Sequence, residues 1–158
     1  MDTVSREQNM KKYENYKALF PRLGKAVEEE FYLEAIFIAY AIVEDRAESV
    51  LRHLGKWEDY AQKCAEEDKC PTISGKISRI RKEAKKVSSP AHDPFSDDLL
   101  SRFMAWKDVR NKKIHALMNQ SFSSDELKEL AETGKDLART FSNRTEAVKR
   151  AVRKQEQK

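Results

Sequence analysis

The sequence predicts an all-α protein, an up-and-down bundle of four to six helices with short connections. Three observations carry this. Charged residues make up 37% of the 158, with only four glycines and four prolines, a composition that favours helix and leaves little for the turns of a sheet. Apolar residues recur three and four apart along most of the chain. Capping and breaking residues fall between these periodic stretches.

The first helix is expected to begin near Ser5, with Tyr13, Tyr16, Phe20, Leu23 and Val27 on one face and a kink or break at Pro21. The second spans about Phe31 to Leu54. Ile36, Tyr40, Val43, Ala47, Val50, Leu51 and Leu54 form its inner face, while Phe37, Ile38 and Ile42 make other sides apolar too. Such a helix belongs at the centre of a bundle or of a dimer interface, and Gly55 is placed to cap its end. Trp57 to Glu67 reads as a shorter helix, broken by Asp68-Lys69-Cys70-Pro71, and Thr72 to Val87 as another, with Ile73, Ile77 and Ile80 inward. A loop from Ser88 to Pro94 leads to a helix over Leu99 to Met118, with Ser96 as its cap and Asp97 and Asp98 in its first turn. Ser123-x-x-Glu126 fits a capping box at the start of the last helix. There Leu127, Leu130, Ala131, Gly134, Leu137, Ala138, Phe141, Thr145, Val148 and Val152 continue one stripe.

The length fits one domain over residues 1–158, with a basic end, 152–158, expected to fray. There are 31 basic and 27 acidic residues, a net charge of +4, a mild excess that suits contact with a polyanion. No run reaches the roughly 18 apolar residues of a membrane span, and Met1-Asp2-Thr3 lacks signal-peptide character. A cytoplasmic protein without membrane contact is the expectation. Cys64 and Cys70 lack the further ligands of a zinc site, no phosphate-cradling glycine loop appears, and no metal or other cofactor is expected.

Function is read from Arg110-Asn111-Lys112-Lys113-Ile114-His115. At about 100° per residue, Leu99, Leu100, Phe103, Trp106, Ile114, Leu117 and Met118 gather into one apolar face, and Arg110 falls inside it. A guanidinium aimed into a core is expensive unless it meets a carboxylate or a ligand anion. Asn111 and His115, four apart, share the adjacent edge. A costly charge beside a group that titrates near neutrality is how an active site looks from sequence.

Arg-x4-His with Asn directly after the Arg resembles the signature of HEPN domains, small all-helical proteins often found as metal-independent ribonucleases. A mostly apolar second helix that turns charged at Glu44-Asp45-Arg46, and a long last helix, agree with the family. Lys107 fits a Lys-x-x-Arg variant of the motif. Phe103 stands where an acid is sometimes seen, and Leu117 where a subgroup paired with nucleotidyltransferase antitoxins carries a modified Tyr. The resemblance implies RNA as substrate, catalysis by Arg110, Asn111 and His115, and a homodimer that pairs two motifs. It also implies a role as a toxin or phage-defence effector, with a possible antitoxin or regulatory protein as partner. Arg110 and His115, five apart, differ by about 140° around the helix, so one helix cannot aim both at one point.

Glu44 is the acid expected to orient Arg110, with Asp45 and Glu48 as alternatives; such a pair would equally serve as a buried bridge between helices. Lys112 and Lys113 beside the motif are the expected RNA contacts. The basic segments Lys76 to Lys86 and Arg139 to Lys158 are candidates for tracking a phosphate backbone, or plain solvated faces. His53 is expected to cap carbonyls or face solvent, His92 to be exposed, and Trp106 to belong to the core. Two other readings remain: a non-catalytic HEPN-like module that binds nucleotide, RNA or protein, and a helical adaptor with no nucleic-acid role.

Overall fold

A computed structural model describes residues 3–157, except the side chains of 3–9, 12 and 13, so the inward place expected for Tyr13 lies outside the described residues. Those residues form six helices and no strand: α1 (Thr3–Glu28), α2 (Tyr32–His53), α3 (Trp57–Glu66), α4 (Ile73–Ala84), α5 (Leu99–Ala116) and α6 (Ser124–Glu156). The all-α expectation holds. None of these helices is long and apolar enough to cross a membrane.

α2 is the axle. Ala35, Ile36, Ile38, Ala39, Ile42, Val43, Ala47, Val50 and Leu51 are all buried, so the helix presents apolar surface on several sides. It packs along α6, with α1 and α4 on its flanks. The stripe read along the last helix is its partner: Leu130, Ala131, Gly134, Leu137, Ala138, Phe141, Thr145 and Val148 are buried there. Phe141 joins Phe95 and Phe103 in an aromatic cluster, with ring centroids 5.3 and 6.3 Å away. Full burial of side chains of this size stabilises by about 1.5–3 kcal/mol each.

The chain ends each helix by local chemistry. Gly55, at a φ of 64°, closes α2 with Gly55 N donating to Arg52 O and Lys56 N to Leu51 O, the paired bonds of a Schellman turn. Glu30 and Asp68 take the same left-handed position after α1 and α3, at φ of 62° and 53°, where the sequence supplies no glycine. Thr72 caps α4 by accepting from Gly75 N. The capping box at Ser123 and Glu126 is formed in both directions.

Three expectations are corrected. Pro21 does not break α1; it is exposed inside one continuous helix, so the hydrogen bond it removes lies on the wet side. α5 starts at Leu99, and its first free amide is held by Asp97 Oδ1, while Ser96 bonds back to Asp93 O. A short acid two residues before an amide competes with a cap farther upstream. Residues 152–156 stay helical rather than frayed, since Val152 packs on the core and Gln155 Nε2 donates to Ser88 O.

Candidate active site on the fifth helix

α5 is anchored by its first half. Leu99, Leu100, Phe103 and Trp106 are buried, and the Trp106 indole donates to Leu130 O at 2.8 Å. Trp106 is therefore core, not an exposed platform. Beyond it the apolar face loses its cover: Ile114 and Leu117 are half-buried and Met118 is 94% exposed. The Arg-Asn-His motif sits on this less covered half.

Arg110 lies half-buried against α2. Its Cζ is 4.5 Å from the Tyr40 ring centroid and 5.0 Å from that of Phe37. Nη1 donates to Asn111 Oδ1 at 2.9 Å, and Nε is buried with no hydrogen-bond partner. The expected Glu44–Arg110 pair is not formed. Glu44 and Glu48 turn instead to Lys76 of α4, at 3.7 and 3.5 Å, and Asp45 holds the neighbouring Arg46. The cause is Lys76, whose side chain is only 6% exposed. A lysine buried to that degree needs carboxylates close by, and it takes the ones on the facing side of α2.

Lys76 is thus withdrawn from the basic segment read as a phosphate track, and Arg79 is stacked on Tyr60. Lys113 is likewise committed, to Glu126 at 3.0 Å and the Phe122 ring at 4.9 Å. Its contact holds the Glu126 carboxyl below the usual carboxylate range, together with the Ser123 amide. Lys112 remains exposed. Lys107 is mostly covered and bridged to Asp108 at 2.9 Å.

His115 is exposed in the last turn of α5. Asn111 makes no hydrogen bond to its imidazole; its amide oxygen accepts from Arg110 instead. The other two histidines cap helices: His53 Nδ1 meets Ser49 O at 2.8 Å and His92 Nδ1 meets Ala84 O at 2.7 Å. His92 is half-buried rather than exposed.

Phe37 and Tyr40 are the site residues the sequence reading left out. Their signal in the sequence, two aromatic residues three apart on α2, reads equally as core. Phe37 is 49% exposed, so the guanidinium is bounded by a ring that is itself open to solvent. Burial and the nearby Glu44 charge push the Tyr40 hydroxyl above its ordinary value, with Arg110 pulling the other way.

What the cluster offers chemically is a fixed planar cation. Two rings and an amide orient the guanidinium, one buried N–H is unanswered, and an imidazole stands one turn onward in water. Set against known proteins, no family model, no curated protein and no solved structure matches this chain.

Proposed function

We propose that this protein is a metal-independent endoribonuclease that works as a homodimer, as its resemblance to HEPN domains implies. The observation that carries the reading is Arg110. A half-buried guanidinium held by two rings and an amide, with no carboxylate among its contacts, is a cation without a counter-ion, and a phosphoryl group supplies one.

In the reaction the ribose 2′-oxygen attacks the adjacent phosphorus as its proton passes to one imidazole. The bond to the 5′-oxygen breaks, and that oxygen leaves with a proton from a second imidazole, giving a 2′,3′-cyclic phosphate and a free 5′-hydroxyl. His115 of each copy supplies these two groups, a contribution of about 10²–10⁴ in rate for each proton transfer. Arg110 neutralises charge on the phosphorane, and Asn111 keeps the guanidinium in its plane. Lys112, which is exposed, adds positive charge for the strand. An exposed imidazole does this chemistry only when a second copy closes over it, so the reading depends on dimerisation. A toxin or phage-defence role, with an antitoxin or other regulatory protein, and action in the cytoplasm rest on the resemblance alone.

A second reading is favoured by one contact. With its amide oxygen on Arg110, Asn111 leaves His115 without an orienting partner in its own chain, as a module that binds phosphate without cleaving it would. Incubation with mixed RNA in EDTA separates the two. The nuclease reading expects products with 2′,3′-cyclic phosphate ends, lost in both Arg110→Ala and His115→Ala. Cleavage unchanged in His115→Ala overturns it. Salt-sensitive binding without cleavage, weakened in Arg110→Ala, selects the module.

A further inference from the structure

Between α5 and α6, on the side of α5 away from Asn111 and His115, runs a groove of about 590 Å³. Its floor is apolar: Ala105, Trp106 and Val109 from α5, Leu130 and Leu137 from α6. The lining residues recur at helical spacing on both walls, so the groove follows the helix axes. From Glu126 to Thr140 it extends about 20 Å. Trp106 sets its depth, because its indole lies over Gly134, where an added Cβ would come within 2.6 Å of the ring. Val109 stands 45% exposed on this floor.

Charge gives the groove a sign. The chain carries a net +4, yet the two cations at the groove are answered within the chain: Lys113 by Glu126 and Arg102 by Asp98, each at 3.0 Å. Glu129 and Asp136 are left. Both are exposed, seven residues apart on one face of α6 and about 10 Å from each other along the axis. Neither has an ion pair or hydrogen bond among the described residues.

We propose that this groove receives an amphipathic helix of a partner protein. Its apolar stripe lies on Val109, Ala105 and Leu130, and two basic residues seven apart meet Glu129 and Asp136. A helix fits because the slot is straight, as long as about four helical turns and apolar along its floor, the arrangement by which grooves read residues at helical spacing. A basic one fits because the two unanswered charges are carboxylates. The proposal is independent of the Arg110 cluster, none of whose residues lines the groove.

The test uses two synthetic 14-residue amphipathic helical peptides with the same leucine stripe. One carries Lys and the other Glu at flanking positions seven apart. Binding is read by fluorescence anisotropy and by the indole N–H resonances of the full chain. The Lys peptide is expected to shift Trp106 and leave Trp57, which does not line the groove. The Glu peptide should bind at least tenfold more weakly, and Glu129→Lys with Asp136→Lys should reverse the order. Val109→Asp, at an exposed position and with its fold checked by circular dichroism, should weaken the Lys peptide more than tenfold. No shift at Trp106, equal binding of both peptides, or full binding to Val109→Asp overturns the proposal. So does a change in the oligomeric state of the chain alone on Val109→Asp, which would make a second copy the occupant.

Discussion

Leaving one N–H of a partly buried guanidinium unanswered costs about 1–3 kcal/mol, and stacking on two rings offsets about 0.5–2 of it. For Arg110, stacked on Tyr40 and Phe37 with Nε unpaired, these nearly cancel. Arg110→Met, similar in length and without the charge, is therefore expected to move stability by less than about 1 kcal/mol in thermal melts, while RNA turnover falls at least a hundredfold. A loss of several kcal/mol would mark Arg110 as a structural bridge and contradict the site. Tyr40 reports on the same contact. Burial first, then Glu44, raises its hydroxyl, and Arg110 lowers it. The folded phenol thus keeps its proton where the unfolded chain loses it. Stability is unaffected below the ordinary tyrosine range and is lost as pH rises above it. Arg110→Met removes the lowering contribution, so the Tyr40 phenolate band should appear at higher pH in an absorbance titration. Lys76 is the contrasting case. Held at 3.7 and 3.5 Å from Glu44 and Glu48, it is expected to cost about 2 kcal/mol as Lys76→Met in chemical denaturation, since two carboxylates are then left facing each other.

At the scale of elements, the α5–α6 contact makes propensity and packing disagree. Gly134 sits mid-helix, where alanine would gain about 1 kcal/mol. Its added Cβ would lie 2.6 Å from the Trp106 ring, and overpacking costs about 1–3 kcal/mol. Gly134→Ala is expected to destabilise by up to about 2 kcal/mol on these figures, and to lengthen the bond from the Trp106 indole to Leu130 O, visible as faster hydrogen exchange at that indole. Unchanged exchange with raised stability would mean that α5 is loosely seated. The helices themselves were legible in the sequence because period and caps are local: the Ser123 box, the Gly55 turn and the α6 stripe need only neighbours a few residues away. The partly buried place of Arg110 was legible for a similar reason, since it falls on an apolar face by angle alone. What the sequence could not place was the choice among partners. Glu44 is at a suitable angle for Arg110, but Lys76 of α4 reaches it first, a competition decided by how α2 and α4 pack. Phe37 and Tyr40 were invisible as site residues because an aromatic ring on a helix reads as core until the cation above it is seen.

For the whole molecule, the uneven cover of α5 is the consequential feature. Its first half is locked by Phe103 and Trp106, and its second half carries His115 and also Arg110, which lies over an exposed Phe37. An apolar ring next to an under-satisfied cation is poorly suited to bulk water, and both are better accommodated against another surface. With Arg110 and His115 about 140° apart on a regular helix, the proposed dimer would need a two-fold axis to bring both pairs to one groove, the same patch then serving on each side. Phe37→Glu tests this at a position that is half exposed in the single chain and so does little to its fold. Sedimentation should give a dimer for the parent at micromolar concentration and a monomer for Phe37→Glu. RNA cleavage should fall at least tenfold in that variant, while its melting temperature drops by only a few degrees, since the lost ring over Arg110 contributes about 0.5–1 kcal/mol. Specific activity of the parent should also fall on dilution, as dimers dissociate by mass action. A parent that sediments as a monomer and keeps full activity on dilution would place the whole reaction on one helix, where a single imidazole cannot serve as both base and acid in the same step.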